Sequence, residues 1–222
     1  MEFNILICGV GGQGTILASY VLGNAALKDG HKVRLGEVHG MAQRGGSVVS
    51  HVRMGDEVYS SVIPQGKADI IIAFEPLEAL RNVSYLKKGG KTILNTERIN
   101  PISVSLGECD YPPIDEILFN LSEKGKVYHF NATEIAKGLG NQVTMNMVMM
   151  GALSLLETPI HQQRAVVTHV QLHAQLQHLL CGHQRLFYRG DRRERLGAGR
   201  EFPHDAKHLQ KISCDHQCEL PL

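Results

Sequence analysis

A glycine-rich loop near the amino terminus constrains the fold of this chain more than any other feature. The apolar run Phe3-Asn-Ile-Leu-Ile-Cys8 precedes it and is typical of a strand buried inside a parallel sheet. The loop, Gly9-Val-Gly-Gly-Gln-Gly-Thr15, leads into residues 16–28, which have helical periodicity and stop at Asp29-Gly30. Strand, loop and helix in this order predict an α/β fold. They also predict an anion site, because glycines expose backbone N–H groups and the helix dipole attracts negative charge.

The spacing of this loop fits the fingerprint of dinucleotide-binding folds, with Gly9, Gly11 and Gly14 at the three glycine positions. A second strand is predicted at 31–36, and Glu37 follows it where such folds hold an acid for the ribose. Alternatively, the glycines only allow the strand and the helix to pack closely. The cofactor-binding candidates are Gly9, Gly11, Gly12, Gln13, Gly14 and Thr15.

A second glycine-rich stretch, Glu37-Val-His-Gly-Met-Ala-Gln-Arg-Gly-Gly-Ser47, follows the second strand. After it, residues 48–53 and 58–63 alternate apolar and polar side chains around a turn at 54–57, a pattern that predicts a β-hairpin. A hairpin interrupts the strand–helix–strand alternation. The expected fold is therefore a three-layer, Rossmann-like α/β domain with a mixed, mostly parallel sheet.

The second stretch contributes most of the candidates for contact with a substrate or a partner. Arg44 has a planar fork suited to a carboxylate, a phosphate or a subunit interface, and it stands beside Gln43. Glu37 and His39 are candidates for acid–base chemistry or for fixing the loop geometry. Glu75 follows the predicted strand 69–74 and either faces the same cleft or complements a helix dipole. The full set is Glu37, His39, Gln43, Arg44, Gly45, Gly46, Ser47 and Glu75; no catalytic residue and no metal ligand is assigned.

The two glycine-rich motifs together resemble the gamma domain of 2-oxoacid:ferredoxin oxidoreductases. Further similarity comes from Ala73-Phe-Glu-Pro-Leu-Glu-Ala-Leu80 and from Asn141-Gln-Val-Thr-Met-Asn146. Within that family the motifs are most similar to the beta subunit of indolepyruvate ferredoxin oxidoreductases, in which this domain is a separate chain. The resemblance extends over residues 1–157.

The resemblance implies an accessory subunit of a multisubunit enzyme. That enzyme decarboxylates indolepyruvate or a related aryl pyruvate on thiamine diphosphate, passes the acyl group to coenzyme A and sends two electrons through iron–sulfur clusters to ferredoxin. Thiamine diphosphate, Mg²⁺ and the clusters are expected on a partner alpha subunit, and no cofactor is expected to bind this chain tightly. The five cysteines agree, because none stands in a C-x₂-C-x₂-C run. The alternative function is a free-standing oxidoreductase that binds NAD or FAD.

Composition excludes several other classes of function. The net charge of +1 gives no signature of binding to nucleic acid or to an anionic membrane. No apolar run is long enough to span a bilayer, and the first residues lack the basic start of a signal peptide. With few cysteines, odd in number, the chain is expected to be cytoplasmic and to keep its thiols reduced.

The composition changes near residue 160. Eight of the 12 histidines lie in residues 161–222, and seven of the nine basic residues there are arginines. Residues 158–222 are therefore expected to form an atypical tail, partly helical (166–180) or disordered. Two interpretations stay open. A change of reading frame has replaced the original carboxyl terminus, or the tail binds a metal through Cys214, His216 and Cys218, whose spacing fits zinc sites poorly.

Overall fold

The computed structural model describes residues 2–40 and 45–160. A six-stranded sheet with the order β2-β3-β1-β4-β5-β6 forms its centre. Only β3 runs against the other strands, since it pairs antiparallel with both β1 and β2, whereas β1, β4, β5 and β6 pair in parallel. The strands are β1 (Phe3–Val10), β2 (Val33–His39), β3 (Ser47–Met54), β4 (Ala68–Ala73), β5 (Leu86–Asn95) and β6 (Gly125–Phe130).

Helices cover both faces of this sheet. Side chains of a strand alternate between the two faces, so Ile5 and Ile7 of β1 join one core while Leu6 and Cys8 join the other. The first core is closed by α1, α5 and α6, and the second by α2 and α4. This confirms the expected three-layer fold with a mixed, mostly parallel sheet. The helices are α1 (Thr15–Lys28), α2 (Pro76–Asn82), α3 (Ile102–Ser105), α4 (Ile114–Ser122), α5 (Ala132–Gly138) and α6 (Met145–Leu153).

The predicted hairpin of 48–53 with 58–63 is wrong. Residues 47–54 do form β3, but β3 pairs with β2 and β1, and residues 58–63 form no strand. Side chains of β3 bind the backbone of this segment instead. Arg53 donates through Nη1 to the carbonyl oxygens of Ser60 and Val62 at 2.9 and 3.0 Å. The segment is therefore a strap that is held to β3, and its own Ile63 is fully buried in the second core.

Among the described residues, no helix is long and apolar enough to cross a membrane. The residues predicted to form an atypical tail, apart from the first three, lie outside the described residues. So do the predicted helix at 166–180 and the cysteine–histidine cluster near residue 216.

Candidate functional site

The two glycine-rich stretches meet at one edge of the sheet. The loop after β1 and the residues entering β3 lie at this edge because β3 runs opposite to β1. The backbone N–H of Gly11 donates to the carbonyl oxygen of Gly46 at 2.8 Å and links the two loops directly. Parallel strands end at this edge, where open α/β sheets bind ligands.

The side chain of Gln13 fixes the conformation of the first loop through two hydrogen bonds to the backbone. Its Oε1 accepts a hydrogen bond from the N–H of Val10 at 2.7 Å, and its Nε2 donates to the carbonyl oxygen of Phe74 at 3.0 Å. The loop thereby joins the ends of β1 and β4. Gly9 leaves room for this side chain, since a Cβ there would lie 2.8 Å from the Gln13 oxygen. Gln13 thus has a structural role, whatever it contacts outside the chain.

Two other residues of the first loop need glycine for their backbone conformation. Gly12 and Gly14 have φ angles of +103° and +81°, in the region that side chains with a Cβ rarely adopt. Gly12 is exposed, whereas Thr15, the first residue of α1, is buried. The loop therefore presents backbone to the outside rather than side chains.

The second stretch is described only at its ends. Gln43 and Arg44, the strongest sequence candidates, lie outside the described residues. Gly45 is exposed with a φ of +76°, and Gly46 holds the first loop. Ser47 Oγ donates to Glu78 Oε2 at 2.5 Å. The loop that carries Gln43 and Arg44 is therefore anchored on its carboxyl side to both β1 and α2.

Glu37 and His39 do not join this cluster. Glu37 lies within β2 rather than after it, and it faces Ser50 of β3 in the ladder. Both side chains are exposed on the edge strand, and His39 Nδ1 lies 3.3 Å from the carbonyl oxygen of Gly40. Since β3 stands between β1 and β2, Glu37 is two strands away from the first loop. A dinucleotide fold places its ribose acid on the strand next to β1, so the geometry does not support NAD or FAD binding.

Glu75 is used within the protein. The side chain is 1% exposed, and it caps α2 by accepting from the N–H of Glu78 at 2.9 Å. It also accepts from the N–H of Ile99 at 3.2 Å and from the hydroxyl of Tyr111 at 2.5 Å. Burial, followed by the hydrogen bond to Glu75, raises the pKa of Tyr111 above its ordinary value. Of the two interpretations from the sequence, the geometry favours the helix cap.

Glu78 is a residue that sequence reasoning missed. It is 2% exposed, yet it binds Ser47 from the second loop and Arg81 Nη1 at 2.5 Å. Its spacing of three residues from both Glu75 and Arg81 was the available signal, because such residues are neighbours on a helix. Glu78 therefore connects α2 to the loop that carries Arg44.

Cys8 is buried below the same edge of the sheet, and its thiol is a poor nucleophile. Burial raises the pKa of its thiol well above the ordinary value, and the nearby carboxylates of Glu78 and Glu75 raise it further. The thiolate needed for nucleophilic attack is thus disfavoured. In the described part of the chain, no group of three or more His, Cys, Asp or Glu side chains lies together to hold a metal.

Comparison with known proteins places this geometry in a family. The model of the pyruvate ferredoxin/flavodoxin oxidoreductase family matches residues 4–173. Indolepyruvate oxidoreductase subunit IorB of Pyrococcus horikoshii is 52% identical over 160 residues, covering 71% of this chain and 78% of the relative. The subunit of the same name from Methanothermobacter thermautotrophicus is 49% identical over 153 residues, covering 68% and 78%.

Solved structures show the same fold. Pyruvate oxidoreductase subunit PORC from Thermotoga maritima superposes with a TM-score of 0.59 at 22% identity, over 77% of this chain and 85% of that one. The 2-oxoglutarate:ferredoxin oxidoreductase from Magnetococcus marinus superposes with a TM-score of 0.58 at 21% identity, over 90% of this chain and 32% of that one. The resemblance found in the sequence is confirmed, and the chain belongs to the pyruvate ferredoxin/flavodoxin oxidoreductase family.

Proposed function

We propose that this chain is the accessory subunit of a thiamine-dependent 2-oxoacid:ferredoxin oxidoreductase. The complex would convert indolepyruvate or a related aryl pyruvate to its acyl-CoA by oxidative decarboxylation. The observation that carries the proposal is the 52% identity to a protein named as an indolepyruvate oxidoreductase subunit. The 2-oxoglutarate and pyruvate/ketoisovalerate relatives are only 32% and 28% identical, which favours the indolepyruvate branch.

The redox cofactors belong, in this proposal, to a partner alpha subunit. Thiamine diphosphate, Mg²⁺ and iron–sulfur clusters require diphosphate, carboxylate and thiolate ligand sets. The donor groups of this chain do not fit such a cluster: Cys8 lies inside β1, and the five cysteines have no cluster spacing. Ferredoxin would receive electrons through the partner, coenzyme A would be a co-substrate, and the complex would work in the cytoplasm.

The linked loops are the proposed contact surface for the substrate, coenzyme A or the partner. Gly11 and Gly46 join the loops, and Ser47 and Glu78 anchor the second one next to Arg44. Gly12 and Gly45 are exposed, and because glycine has no side chain another molecule can closely approach the backbone there. Glu37 and His39, on the outer strand, would contribute only if the partner also covers β2.

Co-expression with a thiamine- and cluster-containing subunit from the same genome tests the subunit role. The two chains are expected to purify together, and indolepyruvate-dependent reduction of ferredoxin should require both chains and coenzyme A. If this chain purifies alone and adds nothing to the activity of that subunit, the proposal fails. Titration with NAD, NADP and FAD tests the alternative, since the accessory subunit is expected to bind none of them tightly.

Arg44→Ala tests the proposed contact loop within that complex. We expect activity to fall at least about tenfold, because an Arg that grips a charged group contributes more than 1.4 kcal/mol. The matched control is Arg34→Ala on β2. Arg34 is exposed, and among the described residues its guanidinium donates a hydrogen bond only to the carbonyl oxygen of its neighbour, Val33. Equal activity of the two variants would show that the loop does not have this role.

A further inference from the structure

The outer strand β2 leaves one edge of the sheet open. It stands last in the strand order and pairs only with β3. The N–H of Gly55 donates to the carbonyl oxygen of Lys32 at 3.0 Å, so the backbone groups of even-numbered residues point to β3. The N–H groups of the odd-numbered residues therefore point outward, and within the described ranges nothing accepts from them. These residues are Val33, Leu35, Glu37 and His39.

This strand also lacks the features that usually keep an edge strand from pairing with another chain. Proline, lysine, a bulge or a very short length normally gives that protection. β2 spans seven residues without proline or lysine, and its register with β3 runs without a shift. The strand at the opposite edge of the sheet, β6, carries the exposed Lys126. The edge formed by β2 can therefore accept a further strand.

Exposed apolar side chains lie beside β2 on the face of the sheet that α1 covers. The helix contacts the strand closely, since a Cβ on Gly23 would lie 3.0 Å from Leu35 Cδ1. Tyr20 and Leu27 lie one turn to either side of Gly23 and hence on the same side of the helix. They are 52% and 56% exposed. Apolar surface of α1 thus borders the open edge.

The other face of the sheet has a similar apolar border. The strap contacts β2 there, since a Cβ on Gly36 would lie 2.9 Å from the carbonyl oxygen of Ser61. Val38 is on the same face as Gly36, because side chains alternate along a strand, and it is 54% exposed. Tyr59 and Val62 of the strap are 86% and 46% exposed. An open strand edge between two apolar borders is a typical surface for association.

We propose that β2 pairs with β2 of a second copy of this chain, antiparallel and centred on Gly36, so that the two sheets become one. A two-fold axis brings the same surface of both copies together, so this surface must be complementary to itself. In this register Arg34 lies opposite Val38, and Leu35 lies opposite Glu37. No two like charges face each other. Gly36 lies opposite itself, where it has no side chain that hinders close approach. The pairing forms about eight backbone hydrogen bonds.

The apolar borders stabilise this dimer, whereas the backbone hydrogen bonds determine its register. Hydrogen bonds that replace bonds to water contribute little net free energy, so burial of apolar side chains is the main driving force. A second copy brings its own two borders to the junction, which an unrelated strand does not. This inference goes beyond the proposed subunit role and does not depend on it. The dimer is tested on the purified full chain, and the subunit role is tested by co-purification.

Sedimentation velocity of the full chain between about 1 μM and about 100 μM measures the association. The mass is expected to rise with concentration to twice that of a single chain. Hydrogen exchange followed by NMR identifies the strand involved. The N–H groups of Leu35 and Glu37 should become protected as the concentration rises. That of Val38, which points to β3, should be protected at every concentration.

Glu37→Pro removes an outward-pointing donor and leaves the ladder with β3 intact, since proline is tolerated on an edge strand where its nitrogen faces solvent. The dissociation constant of the dimer should increase at least about tenfold. Glu37→Gln is the matched control, because it keeps the backbone N–H and should associate like the wild type.

Charge variants test the register and do not disturb the backbone. Val38→Lys places a lysine opposite Arg34 of the second copy and should weaken the dimer, because like charges then face each other. Adding Arg34→Glu to that variant should restore association. Arg34→Ala alone should associate like the wild type, because the residue opposite is the uncharged Val38.

Four results would overturn the proposal. The first is the mass of a single chain at every concentration. The second is a dimer that is equally tight in a folded Glu37→Pro variant and in Glu37→Gln. The third is a Val38→Lys variant that associates like the wild type or that Arg34→Glu does not rescue. The fourth is protection of Leu35 and Glu37 only after a thiamine- and cluster-containing subunit is added, which would assign the edge to a strand of that subunit.

Discussion

At the scale of single residues, polar side chains of the family motifs form hydrogen bonds that hold the fold together. Gln13 looks like a loop residue aimed at a cofactor, but both ends of its amide bind backbone groups, of Val10 and Phe74. The carboxylate of Glu75 likewise caps α2. Periodicity and motif spacing could place these residues at the strand ends. They could not show which side chains turn inward, because that depends on partners far along the chain.

Gln13→Ala should destabilise the protein by about 1–3 kcal/mol, because it leaves the N–H of Val10 without its acceptor near a buried strand end. The carbonyl oxygen of Phe74 keeps a second donor, Asn95 Nδ2, at 3.0 Å. Urea unfolding measures the difference. Gln142→Ala, at an exposed position with no side-chain hydrogen bond to the described residues, is the control and should stay within about 0.5 kcal/mol of the wild type. Similar losses in both variants would contradict the locking role of Gln13.

Two histidines, His51, which is buried, and His129, which is half-buried, should make the protein sensitive to mild acid. Burial, and then the nearby charge of Arg53, lowers the pKa of His51, and burial lowers that of His129. In the unfolded chain both titrate near pH 6.5. As the pH falls below about 6.5, the unfolded state therefore binds more protons than the folded state, and stability decreases.

We expect the free energy of unfolding of the wild type to decrease between pH 7 and pH 5. In the double variant His51→Gln/His129→Gln, this decrease should be smaller. Urea unfolding at pH 7, 6 and 5 measures it. Glutamine keeps an acceptor for the N–H of Ile63, which His51 Nδ1 binds at 3.3 Å. The idea fails if wild type and double variant show the same dependence on pH.

At the scale of elements, the sequence pattern predicts a strand or a helix correctly where contacts between neighbouring residues determine its conformation. Residues 3–8, the loop and residues 16–28 were predicted correctly, because a buried strand and a helix are visible in periodicity. The pairing of β3 with β2 was missed, because alternation alone does not say which strand lies opposite. Residues 58–63 alternate like a strand, yet the guanidinium of Arg53 takes the carbonyl oxygens that a ladder would use.

Arg53 should therefore hold the strap that replaces the predicted strand. It is 7% exposed and also binds Asn4 Oδ1 at 3.1 Å and the carboxylate of Glu2. Arg53→Met should cost about 2–3 kcal/mol, since hydrogen bonds to a charged group are stronger than neutral ones. Hydrogen exchange should show faster opening at Ile63, whose N–H binds His51.

The neighbouring Arg34 provides a matched control for that experiment. It lies opposite Arg53 in the ladder between β2 and β3, but it is exposed. Arg34→Met is expected to change stability by less than about 0.5 kcal/mol. If both variants unfold at the same urea concentration as the wild type, the strap is held by Ile63 and Val58 rather than by Arg53.

At the scale of the whole molecule, burial shows more than composition about where the folded domain ends. The change in composition suggested a boundary after residue 157. The family model nevertheless continues to residue 173. Ile160 is 4% exposed and belongs to the core between the sheet and α1, α5 and α6, and the carbonyl oxygen of Pro159 lies 3.1 Å from His31 Nε2. Composition could not show this, because one buried residue leaves no pattern.

We therefore expect Ile160 to be part of the folding unit. Ile160→Ala in the full chain should lower the free energy of unfolding by about 2–5 kcal/mol, the usual cost of emptying a buried isoleucine site. Leu155→Ala, at a position that is 50% exposed, should cost much less. A chain ending at residue 163 should then unfold cooperatively, whereas a chain ending at 157 should melt at a lower temperature, because it lacks both Ile160 and the contact to His31. Equal melting temperatures of the two shortened chains would place the boundary at 157 after all.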